Sequence, residues 1–325
     1  MYTRREFGML TVAGLVGLRP DTSGGLTASD PRVRPRATGP AAGAAGMVQG
    51  VRIGVQTYSF RDLPRTPGGD GIDPIIKAMT ECGLNECELW ASHAEPSFGA
   101  RRAPGEPPPP DTQKAREDLR RWRIETPLDH FRAIKKKFDA AGIAVYAYNY
   151  SANASFTDAE IDRGFEIAKA LGAEIITAST TLDVAKRIQP FAEKHRMVVA
   201  MHNHSKVEDP NEFATPDSFA AALKMSKFFK VNLDIGHFTA GNLDAVSYIR
   251  ERHADITNLH IKDRRKNQGD NTRWGEGDTP IRDVLQLLKK ERWPIRAYIE
   301  YEYKGQGTPI EEVRKCYEFV TRALA

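Results

Sequence analysis

Eight times along this chain a short β-rich run is followed by a longer amphipathic stretch, and that alternation limits the fold more than any other feature. The runs lie at 53–58, 86–90, 145–150, 175–179, 197–204, 231–237, 257–263 and 297–303. Apolar strands separated by helices imply a parallel sheet. Eight units favour a closed barrel over an open doubly wound sheet. No Gly-x-Gly-x-x-Gly follows the first run, which weighs further against a dinucleotide fold. The sequence therefore predicts an α/β fold, a single-domain (β/α)8 TIM barrel over 51–325. With 40% hydrophobic and 28% charged residues, the chain has apolar material for a core of that size.

Helix punctuation agrees with this reading. Thr157-Asp158-Ala159-Glu160 has capping-box form, Thr215-Pro216 places proline at a first helical position, and Asp73-Pro74 reads as a third start. Gly83, Gly142 and Gly172 fall where left-handed caps are expected. One insertion, 96–126, interrupts the pattern after the second run. It holds Pro107 to Pro110 and then a charged helix-like stretch, 112–123. It follows the C-terminal end of a strand, so it is expected over the active-site face as a lid or an oligomer contact.

Residues 1–50 read differently. Arg4-Arg5 precede Phe7 and a weakly apolar run, 8–18, which resembles a twin-arginine export signal. That run is too short to span a bilayer. A linker rich in Pro, Gly, Ala and Ser follows. The expected destination is periplasmic or otherwise extracytoplasmic, with no stable membrane insertion after processing. The three cysteines, Cys82, Cys87 and Cys316, make neither a disulfide framework nor a Cys-x-x-Cys pair. Net charge is +4 and the basic runs are short, so no nucleic-acid partner is expected.

Polar residues at the ends of barrel strands carry the functional information. The second run holds Glu86, Glu88 and Trp90; the fifth ends in His202-Asn203-His204. The sixth ends Asp234-Ile-Gly-His237, the seventh His260-Ile-Lys262-Asp263, and the eighth Glu300-Tyr-Glu302. Residues two apart share a strand face, which groups His202 with His204, His260 with Lys262, and Glu300 with Glu302. Imidazoles and carboxylates around one point suit a divalent cation such as Mn²⁺, Co²⁺, Zn²⁺, Mg²⁺ or Fe²⁺. Such a cation polarises a sugar carbonyl. Aromatic residues near these ends, among them Tyr58, Trp90, Tyr150 and Trp274, are candidates to stack on a sugar ring.

With Leu-Asp-Ile-Gly-His (233–237), Leu-His-Ile-Lys-Asp (259–263), the Gly-Glu-Gly-Asp loop (275–278) and Ile-Glu-Tyr-Glu (299–302), the chain resembles the sugar phosphate isomerase/epimerase superfamily, the xylose isomerase-like barrels. The resemblance runs from about Val51 to Ala325. It implies metal ligands at Asp234, His260 and Glu300, with His202 standing where the ketose 3-epimerase branch has a glutamate. Those epimerases use two glutamates as paired acid and base, so the histidine puts that scheme in doubt and brings the inosose dehydratase-like and keto-glycoside lyase-like branches into view. Glu300 and His202 are the expected catalytic residues; Glu88, His204, His237, Lys262 and Trp274 are expected to contact substrate. The expected activity is a metal-dependent isomerase or epimerase acting on a sugar or keto-sugar, the expected partner that small molecule, with a homo-oligomer open. The alternatives are a lyase or dehydratase on the same fold, an endonuclease IV-like barrel, and a non-catalytic sugar-binding barrel.

Overall fold

The computed structural model describes residues 46–65, 68–96 and 112–325. The export signal, most of the linker and the proline run 107–110 lie outside the described residues. Eight parallel strands follow in chain order: β1 (Val51–Gln56), β2 (Glu86–Trp90), β3 (Ala144–Asn149), β4 (Ile175–Ser179), β5 (Val198–His202), β6 (Phe229–Asp234), β7 (Ile256–Ile261) and β8 (Arg296–Ile299). Each pairs with the next, and β8 pairs with β1, so the sheet closes into the expected barrel. Among the described residues no helix is long and apolar enough to cross a membrane.

The strands stop earlier than the sequence pattern suggests, for a local reason. Gln56 Oε1 accepts from Tyr58 N (3.0 Å) and starts a 3-10 turn, Thr57–Phe60. Asp234 Oδ1 accepts from His237 N (2.6 Å) and starts the helix Ile235–Ala240. Tyr58 and His237 thus ride on helical turns, and a polar side chain at a strand end has competed with the ladder for the backbone. The capping box at Thr157 and the left-handed Gly83, Gly142 and Gly172 are as predicted. Asp73-Pro74 is not a start: that helix begins at Ile72, where Asp70 Oδ1 accepts the Ile72 amide.

The main apolar core lies between the barrel and its helices, and a small inner cluster of Tyr146, Ala147, Ile175, Ala200 and Tyr298 fills the barrel itself. Below it, Glu86 accepts from Arg52 (3.2 Å), Arg296 (3.0 Å) and the Tyr298 hydroxyl (2.9 Å). Gly54 makes room for the Tyr298 ring. A Cβ there would stand 2.5 Å from the ring and 2.6 Å from the Glu86 carbonyl. Neither the ring nor the backbone can retreat from a packed barrel. Gly54→Ala is expected to cost about 1–3 kcal/mol, an overpacking penalty read from urea unfolding. An unchanged midpoint would show that the floor yields.

Of the insertion, the described part is helix Thr112–Glu125. Arg123 grips Glu95 through two bonds (2.7 and 2.9 Å) and lies over the Phe156 ring (4.7 Å); Arg120 pairs with Glu160 (2.8 Å). These contacts fix the helix beside the segments that follow β2 and β3.

Candidate active site and metal centre

A cavity of about 300 Å³ opens at the C-terminal ends of the strands. His202, His204, His237, His260, Lys262, Glu300 and Glu302 line it, joined by Gln56, Tyr58, Trp90, Asn149, Ser151 and Ser179. Most expected site residues therefore meet at one place. Two expected substrate contacts do not. Glu88 is fully buried beneath the cavity, with both oxygens engaged. Trp274 rides on the loop after β7, edge-on to Phe319 (5.8 Å), because Asp263 binds the amides of Gly275 (2.7 Å), Gly277 (3.0 Å) and Thr279 (3.2 Å) and holds that loop down. No described residue of 96–125 is among the cavity-lining groups.

The centre of the site is a trio. One ligand atom each from His202, Asp234 and His260 lies within 4.8 Å of the other two. His202 Nδ1 and His260 Nδ1 are buried without a hydrogen-bond partner, and Asp234 Oδ2 has the Lys262 ammonium 2.9 Å away. Leaving one such ring nitrogen unsatisfied costs about 1–3 kcal/mol, so two of them beside a buried carboxylate call for a shared partner. A divalent cation fits: two imidazoles and a carboxylate suit Zn²⁺, Mn²⁺, Co²⁺ or Fe²⁺. Asn203 aligns the trio, its side chain bridging to both Asp234 N (2.9 Å) and Asp234 O (3.1 Å). Glu300, the fourth expected ligand, borders the trio. Its Oε2 lies 3.4 Å from His260 Nδ1 and 3.0 Å from Lys262 Nζ.

Lys262 is the lysine of this carboxylate nest. Its ammonium meets Asp234 (2.9 Å), Glu300 (3.0 Å) and Glu302 (2.6 Å). In the metal-free protein, burial pushes the Asp234 carboxyl up to about 7, with Lys262 working against that rise. Burial acts the same way on Glu300, but Lys262 and His260 outweigh it and hold Glu300 well below the usual carboxylate range. Burial, then neighbouring charge, keeps His202 and His237 well below the ordinary histidine range, so both stay neutral near pH 7. His260 goes the other way, because Glu88 and Glu300 overcome its burial.

Hydrogen bonds assign the remaining rings. Arg264 Nη1 reaches His237 Nδ1 (2.6 Å), and a guanidinium only donates, so neutral His237 keeps its proton on Nε2. That leaves His237 as a donor to a ligand oxygen and removes it from a second possible cation cluster, His202, His204 and His237. His204 Nδ1 bonds to the Glu212 carboxylate, and its Nε2 meets Ser179 Oγ (2.9 Å). Glu212 reaches this place because the segment after β5 folds back to pair with Thr181. Sequence reasoning missed Ser179, Asn149, Ser151 and Glu212. Ser179 and Asn149 stand at strand ends and were findable had uncharged groups been weighed there; Glu212 carried no periodic signal.

The comparisons with known proteins agree with the geometry. A family model for xylose isomerase-like TIM barrels matches residues 116–322. No curated protein matches the chain. Among solved structures, D-psicose 3-epimerase from Clostridium cellulolyticum, bound to D-tagatose, is 12% identical with a TM-score of 0.56, covering 84% of this chain and 99% of its own. A protein named IOLI with a bound zinc atom is 14% identical with a TM-score of 0.57, covering 84% of this chain and 99% of its own. The probable 3-DHS dehydratase of Bacillus anthracis is 15% identical with a TM-score of 0.55, covering 82% and 98%. At such identities the likeness is one of fold. The matched family model spans more than half of the chain, which belongs to the xylose isomerase-like TIM barrel family.

Proposed function

We propose that this chain is a metal-dependent enzyme that isomerises or epimerises a sugar or keto-sugar by removing a proton next to its carbonyl. The observation that carries this reading is the trio His202, Asp234 and His260, whose ligand atoms lie within 4.8 Å of one another while His202 Nδ1 and His260 Nδ1 are buried without a hydrogen-bond partner, beside a polar cavity. A divalent cation held there would polarise the substrate carbonyl and acidify the neighbouring C–H. Glu300, ionised beside Lys262, is in the form that accepts a proton. His237 Nε2–H donates to a substrate oxygen. Gln56, Asn149, Ser151 and Ser179 match hydroxyl groups, and Tyr58 and Trp90, edge to face at 4.9 Å, form an aromatic lip. An uncharged substrate suits the cavity better than a phosphorylated one. Three carboxylates face one lysine, and Arg264 is spent on His237 and the Gly269 carbonyl (2.7 Å).

One observation favours a second reading, a lyase or dehydratase acting on a keto-glycoside or similar substrate. The epimerase-like branch needs a glutamate on β5, and here that place is His202, so only Glu300 remains of the paired carboxylates. Elimination needs one base and a donor for the leaving group, and the Ser179–His204–Glu212 chain is a ready hydrogen-bonded donor. Export by the twin-arginine route is proposed with either reading, and a fusion of 1–50 to a reporter active only outside the cytoplasm tests it.

The test is proton NMR in D2O with metal-loaded enzyme and a panel of keto-sugars and keto-glycosides. Deuterium entering next to the carbonyl with all atoms retained is expected for isomerisation or epimerisation. Loss of a β-substituent identifies the lyase. No exchange and no product from any compound would leave a sugar-binding barrel.

A further inference from the structure

Glu88 is a fully buried carboxylate that neither lines the cavity nor joins the trio. It lies in the middle of the barrel, and five strands besides its own supply it with donors. Gln56 Nε2 (2.6 Å), Thr177 Oγ1 (2.7 Å) and Asn149 Nδ2 (3.1 Å) donate to Oε1. Asn258 Nδ2 (2.9 Å) and Asn232 Nδ2 (3.4 Å) donate to Oε2. The remaining contact of Oε2 is His260 Nε2, at 2.9 Å. So dense a shell around one charge holds its position within the barrel.

We propose that Glu88 is a positioning residue that fixes the tautomer and ring orientation of His260, turning the Nδ1 lone pair toward the cation site. The proposal rests on the reading that His202, Asp234 and His260 hold a divalent cation. A neutral imidazole has one N–H and one lone pair. A lone pair on Nε2 would face Glu88 Oε2 at 2.9 Å, an acceptor against an acceptor. The proton therefore belongs on Nε2, and the lone pair on the buried Nδ1, where a cation held by the trio separates it from Glu300 Oε2, 3.4 Å away. Asn232 Nδ2 also lies 3.1 Å from Nε2 and would favour the opposite tautomer. The carboxylate decides between them, since a bond to a charged group is roughly twice as strong as one between neutral groups.

The same geometry states what Glu88→Gln does. Three donors converge on Oε1 against two, Asn258 and Asn232, on Oε2 beside the adaptable His260 ring, so the amide oxygen of the new side chain takes the Oε1 place and the two asparagine amides turn away. Its NH2 group then faces His260 Nε2 and donates to it. The ring proton moves to Nδ1, the atom the cation needs. An almost isosteric change thus reverses the tautomer of a ligand from beneath the site.

The experiment is a Zn²⁺ titration of the full chain against a competing chelator, with thermal unfolding measured alongside. Glu88→Gln is expected to weaken Zn²⁺ binding 10- to 100-fold, the range for losing the outer partner of a ligating histidine. Thr177→Val is the control. It removes a donor to the other Glu88 oxygen, so it lowers the unfolding temperature but leaves the Zn²⁺ dissociation constant at the wild-type value. Wild-type affinity in a folded Glu88→Gln variant overturns the proposal and spares the cation reading. A wild-type chain that binds no Zn²⁺ overturns both. If Glu88→Gln does not fold, ¹⁵N-correlated NMR of the His260 ring in the Zn²⁺-loaded wild-type chain decides. A proton on Nε2 supports the proposal, and a proton on Nδ1 overturns it.

Discussion

Asp234→Asn is expected to leave the barrel folded and empty it of metal. The substitution keeps what Asp234 does for the backbone. Asparagine caps a helix as well as aspartate does, so the bond to His237 N and the start of the helix Ile235–Ala240 survive. What goes is the charge on Oδ2, the anionic member of the trio. His260→Ala removes an imidazole from the same point and leaves Glu88 with its amide and hydroxyl donors. Both variants should lose most bound metal by elemental analysis. Turnover should fall on the order of a thousandfold, because charge stabilisation by a cation is worth several kcal/mol and each 1.4 kcal/mol is tenfold. Circular dichroism should be that of the wild type. Full metal retention in both variants would sink the site assignment; lost metal with full turnover would separate the metal from the reaction.

How far the sequence could be read follows from which forces are local. β-branched and aromatic runs separated by amphipathic helices specify eight parallel strands, because burying both faces of a barrel strand leaves few other residue choices. The strand ends were less legible. Gln56 and Asp234 each turn a strand into a helical turn by bonding an amide two or three residues on, and the pattern 231–237 gives no hint of that competition. Alternation groups Glu300 with Glu302, but a period of two says nothing about depth, and so nothing about where Glu86 and Glu88 lie. Glu86 fell to the barrel floor among Arg52, Arg296 and Tyr298, Glu88 to the layer under the site, and only Glu300 and Glu302 reached the cavity. The histidines and Asp234 are legible because charged or metal-binding groups stand out where strands otherwise apolar along their length come to an end. Ser179 and Glu212 were not, since a serine there is unremarkable in sequence and Glu212 comes from a loop whose return is set by tertiary pairing with Thr181.

Lys262→Met should be the most destabilising single change in the site, and the one that metal repairs. In the metal-free protein the Lys262 ammonium is shared by Asp234, Glu300 and Glu302 while almost wholly buried. Methionine fills similar volume without charge, so packing is nearly kept while three carboxylates lose their common partner. Breaking a buried ion pair from one side costs about 3–5 kcal/mol, and that loss is expected in urea unfolding at neutral pH with chelator present. The pH dependence has a definite sign. Burial already raises Asp234 to about 7 in the metal-free fold, above its unfolded value near 3.8, so the native state binds the extra proton between those values. Stability from this group is present at low pH and lost as pH rises toward 7. Without Lys262 the loss deepens, and acidification to pH 5 should restore part of it. A divalent cation should restore more, because the variant offers it a nest of carboxylates with no competing ammonium. The stability gained on adding Mn²⁺ or Zn²⁺ should therefore be larger in Lys262→Met than in the wild type. Equal stability of the two chains without metal, together with equal gains on adding it, would show that Lys262 is not the counter-ion of these carboxylates.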